Sequence, residues 1–313
     1  MDVSIIIPTF NRLWCLPKAI ASCRNTKCLT EIIVVDDGST DGTWEWLQTQ
    51  HDVISYYQKN QGQTYAINKG TANAKGKYIR FLDSDDFLEE GIIDLQFDLA
   101  VLENSEIVVS NVADFDYDQN RVINLHKSSL FWDDFMEQQL SPNYGSHFLG
   151  MLFHRRLVEL VPRRPDFALR EDRMFLLEVA LLNPKVDYLQ VNAGFWVKHS
   201  SQMQANYKGM KSTTTNWQHL NIYKKIALLL EEQGQLTLKR KQAISYSLWP
   251  LAHWIAKTNL HEAQKVYEWI VELNPQFDIP EKGLLRWLYR NAGFASTEKI
   301  LFIRRVFKFG LWT

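Results

Sequence analysis

The stretch KYIRFLDSDDF, Lys77–Phe87, runs from an apolar segment straight into three carboxylates, Asp83, Asp85 and Asp86. Like charges this close resist sharing a site unless a cation neutralises them. Carboxylate oxygens are the ligands that Mg²⁺ and Mn²⁺ prefer. Taken alone, residues 83–86 are more simply explained as a solvated turn. A second acidic segment after an apolar run, EIIVVDDGSTDGT at Glu31–Thr43, favours a site for a nucleotide diphosphate and a metal ion instead.

Length, charge and cysteine usage limit the class of protein. The 313 residues are 46% hydrophobic and carry a net charge of −1, so we expect a large core and no nucleic-acid partner. Three cysteines without a C-x-x-C pair favour a reducing compartment over a disulfide framework or a zinc site. The N-terminal run ends at Pro8 and lacks a basic segment, which predicts a strand rather than a signal peptide. Since no apolar run approaches the ~18 residues of a membrane span, we expect a protein that is cytoplasmic or peripheral to a membrane.

Apolar runs alternate with segments of helical composition through the first third of the chain. The runs are Val3–Ile7, Ile32–Val35, Val53–Tyr57 and Tyr78–Leu82. Nearly continuous apolar strands of this kind predict a parallel sheet with helices on both faces. Ligands bind such sheets outside the carboxyl ends of the strands. Because Thr9, Asp37 and Asp83 each follow a predicted strand, we expect them to converge in space.

The side chains after the first two strands suit a nucleoside. The carboxylate of Asp37 can accept a hydrogen bond from an imide N–H such as that of uracil, while Asp41 can cap the helix that follows. Pro8 sets the direction in which the chain leaves the first strand, so the Thr9 hydroxyl can meet a base or a ribose. A purely structural turn is the simpler alternative for both segments.

The segment NQGQTYAINKG, residues 60–70, has the character of a phosphate-facing loop and helix. Asn60 opens it, and Gly62 permits close approach of a ligand to the backbone. A helix that starts here points its N-terminus at an anion. Asn68 is neutral to unfavourable in the middle of a helix, so we predict that its amide faces the site.

The acids on either side of Ser84 are predicted to point the same way, because side chains alternate along an extended strand. Asp83 and Asp85 can then divide the work: one holds the ribose while the other binds a metal that bridges the diphosphate. For Asp86 two roles remain open, support of the metal ligands or the cap of the next helix.

Together and in this order, the motifs SIIIPTFNR, VVDDGSTDGT, NQGQTYAINKG and KYIRFLDSDD resemble those of the family 2 glycosyltransferases, over about the first 110 residues. The resemblance implies an α/β protein of the GT-A fold, a Rossmann-like mixed sheet covered by helices, here with a C-terminal helical extension. It implies an inverting transferase that uses a nucleotide-activated sugar, usually UDP-linked, with Mn²⁺ or Mg²⁺. The family's uracil-binding acid falls on Asp37, and its metal motif falls on Asp83 and Asp85.

One departure from the family pattern concerns the diphosphate. The family often places Arg immediately before the asparagine of the third motif, and this chain has Ile67 there. We therefore expect another cation, Lys69 or Lys198, to neutralise the diphosphate.

The resemblance extends in weaker form to LREDRMF at Leu169–Phe175 and to the segment around His199. It implies that the general base lies in the pair Glu171-Asp172, with Asp172 favoured. A base is needed because a protonated hydroxyl is a poor nucleophile. An acidic first turn that stabilises a helix dipole is the alternative for this pair. His199 is predicted to complete the metal shell or to contact the diphosphate, although a packing role is equally compatible with a single histidine.

The predicted site therefore consists of three groups of residues. The donor-binding residues are Pro8, Thr9, Asp37, Asn60, Gly62, Asn68, Asp83, Ser84 and Lys198. The metal ligands are Asp85, Asp83 and His199, and the catalytic residues are Asp172 and Glu171.

The sequence predicts three regions: a nucleotide-sugar-binding half at 1–110, an acceptor-binding half at 111–205 and a helical region at 206–313. Residues 281–313 hold seven basic and two acidic residues, a local net charge of +5. Basic amphipathic helices often lie in the membrane interface. The alternative is that their apolar stripe packs on the catalytic domain. The resemblance to enzymes that build surface polysaccharides favours a tail that binds anionic lipid at the inner face of the plasma membrane, near a glycan or lipid-linked acceptor.

Two other enzyme classes fit the sequence less well than a sugar transferase. A phosphatase with an aspartyl nucleophile carries its Asp-x-Asp at the end of the first strand, where this chain has Pro8-Thr9. A nucleotidyltransferase needs a Gly-rich basic loop at the same place. A sugar-nucleotide or glycan-binding module without transferase activity remains the main alternative.

Overall fold

The computed structural model describes residues 1–126, 133–142, 147–167, 170–200 and 210–309. Its strands are β1 (Val3–Thr9), β2 (Thr30–Asp36), β3 (Val53–Tyr57), β4 (Tyr78–Phe81), β5 (Phe87–Leu88), β6 (Ile107–Asp116), β7 (Arg121–His126), β8 (Met151–His154) and β9 (Val186–Lys198). Its helices are α1 (Leu16–Ser22), α2 (Thr43–Leu47), α3 (Gln63–Asn73), α4 (Ile92–Glu103), α5 (Phe135–Leu140), α6 (Arg155–Leu160), α7 (Glu171–Ala180), α8 (Met210–Glu232), α9 (Leu238–Ala256), α10 (Leu260–Leu273), α11 (Gly283–Ala292) and α12 (Phe294–Phe309).

The chain forms two compact units. The first consists of Met1–Phe135 and Tyr144–Tyr207, and the second of Met136–Asn143 and Lys208–Thr313. The first unit contains every strand of the described residues and every predicted site residue. The second unit is helical and takes in a short segment from the middle of the chain, which the sequence analysis did not anticipate.

The sheet of the first unit is parallel at its N-terminal end and mixed beyond it. β1 lies between β2 and β4 and is parallel to both, and β3 is parallel to β2. This confirms the parallel sheet predicted from the four apolar runs. The described strands continue in the order β3-β2-β1-β4-β8-β6-β9-β5, with β7 against β6, and β8 is antiparallel to both of its neighbours.

Helices cover both faces of the parallel part. Ile5 and Ile7 of β1 belong to the cluster that includes Leu16 and Ile20 of α1. Ile6 points to the other face, where α3 lies so close that a Cβ on Gly70 would come within 2.6 Å of the Ile6 side chain. Glycine at this position therefore seats the helix that carries Asn68 directly on the sheet.

The second half of the sheet differs from its prediction in two strands. The sequence pattern predicts two short strands, Val186–Gln190 and Phe195–Val197. The structure has one strand of 13 residues, β9, which stays paired with β6 although its register shifts twice. β8 was not predicted at all. Its four residues are too short to show a period, and it pairs with β4 and β6 only through long-range contacts.

In the helical unit, Trp249 of α9 packs against the rings of Tyr267, Tyr289 and Phe294. Tyr289 and Phe294 are 2% exposed, so part of the basic tail belongs to this core. Among the described residues, none of the helices combines the length and the apolar character needed to span a bilayer.

Candidate functional site

The carboxyl ends of β1 and β2 lie side by side. Thr9 is the register partner of Asp36, and the Asp37 N–H donates to the Thr9 carbonyl at 2.8 Å. The Thr9 hydroxyl and one carboxylate oxygen of Asp36 are buried without a hydrogen-bond partner. Buried polar atoms are rarely left unpaired, so each of these two atoms needs a hydrogen-bond partner from outside the chain.

Asp37 is the anchor of the loop that precedes α3. Its Oδ1 accepts from the Gln58 amide at 2.7 Å and from the Gln61 N–H at 2.9 Å, and its Oδ2 accepts from the Gly62 N–H at 2.8 Å. The anion next to the start of α3 is thus a side chain of the protein itself. A carboxylate has about four lone-pair positions, so Oδ2 keeps one for a further donor.

Two glycines shape this loop. Gly38 has φ +85°, and a Cβ there would lie 2.9 Å from the Asn60 nitrogen, so only glycine lets the two segments approach. Gly62, at φ +101°, caps the N-terminus of α3. Asn60 itself is exposed beside Gly38.

The acidic cluster is a turn rather than a strand end. β4 stops at Phe81, and the Asp86 N–H donates to the Asp83 carbonyl at 3.1 Å. The turn brings carboxylate oxygens of Asp83, Asp85 and Asp86 within 4.8 Å of one another. The convergence is as predicted, but its reason was wrong, because strand alternation plays no part. Ser84 is buried inside the turn.

The acidic cluster also contacts Arg12 and residues at the end of β9. The His199 Nε2 lies 3.1 Å from Asp85, and the Arg12 Nε lies 3.8 Å from the same carboxylate. Asp86 accepts from the Val197 N–H at 2.9 Å. Of the two roles left open for Asp86, helix capping is wrong, because α4 begins only at Ile92.

The negative charge of this cluster is not balanced. Burial and the neighbouring Asp85 raise the pKa of Asp83 to about 8, although Asp83 keeps contact with solvent. Burial and Asp83 raise the pKa of Asp86 well above its usual range. Clustered oxygens with excess negative charge are the donor set that a hard divalent cation takes. The residues therefore fit such an ion, and Asp83, Asp85, Asp86 and His199 would hold it.

Glu171 and Asp172 form the first turn of α7, and one arginine touches both. The Arg163 Nη1 lies 3.2 Å from Glu171 and 2.5 Å from Asp172. Glu171 is buried, and burial raises its pKa to about 7. The Asp172 side chain is 53% exposed, and its charge is one of those that raise the pKa of Asp83. Asp172 is therefore the carboxylate of the pair that a substrate can reach.

Three predicted donor contacts have other partners in the structure. The Asn68 amide donates to the Arg163 carbonyl and accepts from the Arg163 N–H, both at 3.0 Å. The Lys198 Nζ lies 3.3 Å from Asp114 and over the Trp196 ring. Lys69 donates to the Tyr57 carbonyl at 2.7 Å. Neither lysine contacts the acidic cluster, and a contact of Lys69 or Lys198 with the diphosphate stays a prediction.

Four further residues lie at the site and were not predicted from the sequence. Arg12 stands in the PTFNR turn directly after β1, so its place in the sequence was a usable signal. Gln63 donates to Asp83 at 2.9 Å from the first turn of α3. Trp14 packs edge-on against His199 and lines a cavity of about 110 Å³ beside Asp85. Arg163 had no local signal, since its partners lie on α3 and α7.

Comparison with known proteins identifies the family. Residues 4–159 match the family model described as glycosyl transferase family 2. An uncharacterized glycosyltransferase of Rickettsia felis is 36% identical over 115 residues, which are 36% of this chain and 19% of that protein. The putative glycosyltransferase EpsH of Bacillus subtilis is 24% identical over 253 residues, which are 77% of this chain and 72% of that protein.

A solved structure extends the likeness to the fold. Residues 1–349 of S. aureus TarS in complex with UDP-GlcNAc align with a TM-score of 0.66 and 16% identity, over 99% of this chain and 92% of that chain. At this identity the likeness shows the fold alone. The chain matches about a fifth of the length of the Rickettsia relatives. The mixed sheet, the acidic turn at its edge and the family match together show that this chain belongs to glycosyl transferase family 2 and has the GT-A fold.

Proposed function

We propose that this protein is an inverting glycosyltransferase that moves a sugar from a UDP-sugar to a hydroxyl group of an acceptor. The proposal rests on one observation. The acidic cluster, whose negative charge is not balanced, and the accessible carboxylate of Asp172 lie at the same edge of the sheet. A single displacement requires a diphosphate whose charge is stabilised on one side of the reacting carbon and a base on the other side.

The donor is proposed to lie across the ends of β1, β2 and β4. Asp37 Oδ2 keeps a lone pair for the imide N–H of uracil, and Thr9, whose carbonyl accepts from the Asp37 N–H, has an unpaired hydroxyl. Arg12, beside Asp85, is the described cation best placed for the diphosphate. TarS, which shares the fold, was solved with UDP-GlcNAc, and this supports a UDP-sugar without naming the sugar.

Asp172 is proposed to remove the proton from the acceptor hydroxyl. The acceptor oxygen then forms a bond to the anomeric carbon while the bond from that carbon to the diphosphate oxygen breaks, and UDP leaves with the electron pair. Asp83, Asp85, Asp86 and His199 would hold a divalent ion, Mn²⁺ or Mg²⁺, which would supply positive charge for the departing diphosphate. A single displacement inverts the anomeric configuration, because attack comes from the face opposite the leaving group.

A screen of UDP-sugars with and without Mn²⁺ tests the proposal. We expect metal-dependent release of UDP with one donor, and a product of inverted anomeric configuration by NMR. Retained configuration would overturn the displacement mechanism. Tight UDP binding without turnover for any donor and acceptor would instead favour the sugar-nucleotide-binding module.

The basic tail supports a second proposal, that the protein works at an anionic membrane surface on a glycan or lipid-linked acceptor, as in surface polysaccharide synthesis. Leu284 and Trp287 of α11 are 73% and 59% exposed, and Phe302 and Ile303 of α12 are 51% and 53% exposed. Exposed apolar side chains on helices rich in Lys and Arg match the interface of an anionic bilayer.

Vesicle co-sedimentation tests this surface without disturbing the core. Truncation near Pro280 would remove the buried Tyr289 and Phe294, so substitution of exposed residues is the cleaner variant. We expect the full chain to bind vesicles containing phosphatidylglycerol at low salt and to release them at high salt. The double variant Leu284→Ser, Trp287→Ser should lose binding. The control Leu102→Ser, at an exposed position in the first unit, should bind as wild type.

A further inference from the structure

Arg163 is a buried cation that the proposed reaction does not yet use. Its side chain is 1% exposed, and its Nη1 contacts both Glu171 and Asp172. Burial of a charge is unfavourable unless partners compensate for the lost water. The arrangement around Arg163 must therefore be strong enough to keep it in place.

Three aromatic rings surround the guanidinium. Its carbon lies 4.9 Å from the ring centre of Phe81, 4.3 Å from that of Phe148 and 4.3 Å from that of Phe175. The Nε and Nη2 atoms have no hydrogen-bond partner. Ring faces attract cations without hydrogen bonds, so this cage holds the charge and leaves one nitrogen to face the carboxylates.

The backbone of Arg163 is held as firmly as its side chain. The Asn68 amide pairs with both the N–H and the carbonyl of Arg163. Asn68 lies on α3, which Gly70 seats on β1. The position of Arg163 is thus tied to the sheet edge where the acidic turn lies, and Ile67 next to Asn68 is buried and apolar.

A comparison with Arg80 shows that the partners of Arg163 are unusual. Arg80 is also fully buried, but it donates to the Gln96 amide and the Leu149 carbonyl, which are neutral groups of the core. Arg163 instead contacts the exposed carboxylate of Asp172. A purely structural arginine has no need of a partner that is 53% exposed.

We propose that Arg163 is a positioning residue for the transfer reaction: it holds the Asp172 carboxylate aimed at the acceptor hydroxyl. The inference rests on the proposed function, in which Asp172 is the base. The ion pair of 2.5 Å fixes one carboxylate oxygen, and its attraction opposes the repulsion from Glu171 and from the acidic turn. Arg163 is thereby the cation on the base side of the site, as Arg12 is on the donor side.

The test replaces Arg163 by Met, which keeps the apolar contacts with the three rings and removes the charge, and by Lys, which keeps the charge. For Arg163→Met we expect kcat to fall about 10–100-fold, less than the ~10²–10⁴-fold that general-base catalysis contributes, because the base is misplaced rather than removed. The KM for the donor should change less than about twofold, because Arg163 is not expected to touch the donor.

Arg163→Lys, which keeps the charge, should recover most of the kcat lost in Arg163→Met at the same KM, and it carries the test if the Met variant does not fold. The matched control is Arg164→Met, because Arg164 pairs with Asp166 and Glu178. It should leave kcat and KM unchanged. An unchanged kcat in Arg163→Met, or a loss in Arg163→Lys as large as in Arg163→Met, would overturn the inference while wild-type transfer and its loss in Asp172→Asn keep the proposed function. Absence of transfer by the wild-type protein would overturn both.

Discussion

Asp37 and Asp83 are acids at the same edge of the same sheet, but their surroundings are opposite. Asp37 follows β2 and receives three hydrogen bonds from the loop between β3 and α3. Asp83 follows β4, receives one from Gln63, and stands among Asp85 and Asp86, which β9 and the turn bring close. The strands that lead to them flank β1 symmetrically.

An acidic residue after a strand can serve two separate purposes. Three N–H donors bind Asp37, so it organises the protein before any ligand arrives. The charges around Asp83 repel one another, and a bound cation would relieve that repulsion.

The largest effect is expected at the acidic turn. Asp85→Ala should reduce transfer by at least about a thousandfold, because it removes a ligand of the ion that stabilises the departing diphosphate. Calorimetry should show that Mn²⁺ no longer strengthens UDP binding, and circular dichroism should show an intact fold. Unchanged Mn²⁺-dependent affinity would mean that the cluster is not the metal site.

Asp172→Asn should come next, with a loss of transfer of about 10²–10⁴-fold at nearly unchanged donor affinity. The amide keeps the size of the carboxylate but cannot take the proton. The measurement is steady-state kinetics beside UDP titration. Near-normal turnover would remove Asp172 as the base and direct attention to Glu171.

The contrast itself is tested by a pair of conservative changes measured without metal. Asp37→Asn should lower the free energy of unfolding by about 1–3 kcal/mol, because an NH₂ group would face backbone N–H donors. Asp83→Asn should leave stability unchanged or raise it, because it relieves repulsion within the turn. Thermal unfolding in EDTA compares the two variants directly. Equal destabilisation would show that both acids are structural. In Mn²⁺ the wild type should gain stability and Asp83→Asn should gain less.

The smallest effect concerns pH. The folded-state pKa of Glu171 is about 7, above the ordinary value of 4.5, so the folded state holds a proton that the unfolded state has released. Protonated Glu171 therefore contributes to the free energy of unfolding. This contribution is fully present below about pH 4 and is lost as pH rises through 7, with a slope of at most about 1.4 kcal/mol per pH unit. Glu171→Gln should therefore flatten the pH dependence of unfolding between pH 5 and 7. Glu159→Gln, at an exposed pair with Arg155, should leave that dependence unchanged.

The sequence predicted the N-terminal strands better than it predicted the later strands and the contacts between side chains. The four apolar runs correspond to β1 to β4. β1, β2 and β4 are buried on both faces, which requires an unbroken set of apolar residues, whereas β3 at the sheet edge is partly exposed. The sequence did not predict β8 or the full length of β9, because short or irregular strands depend on neighbours that are distant in sequence. For the site, the acids were found, but the geometry of the turn and the partners of Asn68 and Lys198 were not.

The amino-acid sequence alone determined which chemical groups stand at the sheet edge. Composition and local order place carboxylates directly after buried strands, and any parallel sheet built from those strands exposes them together. The tertiary structure alone decided how those groups are paired. Asp85 meets His199 across 114 positions, and Asn68 holds Arg163 across 95. Such contacts depend on how α3, α7 and β9 pack on the sheet, and no local pattern of residues carries that information.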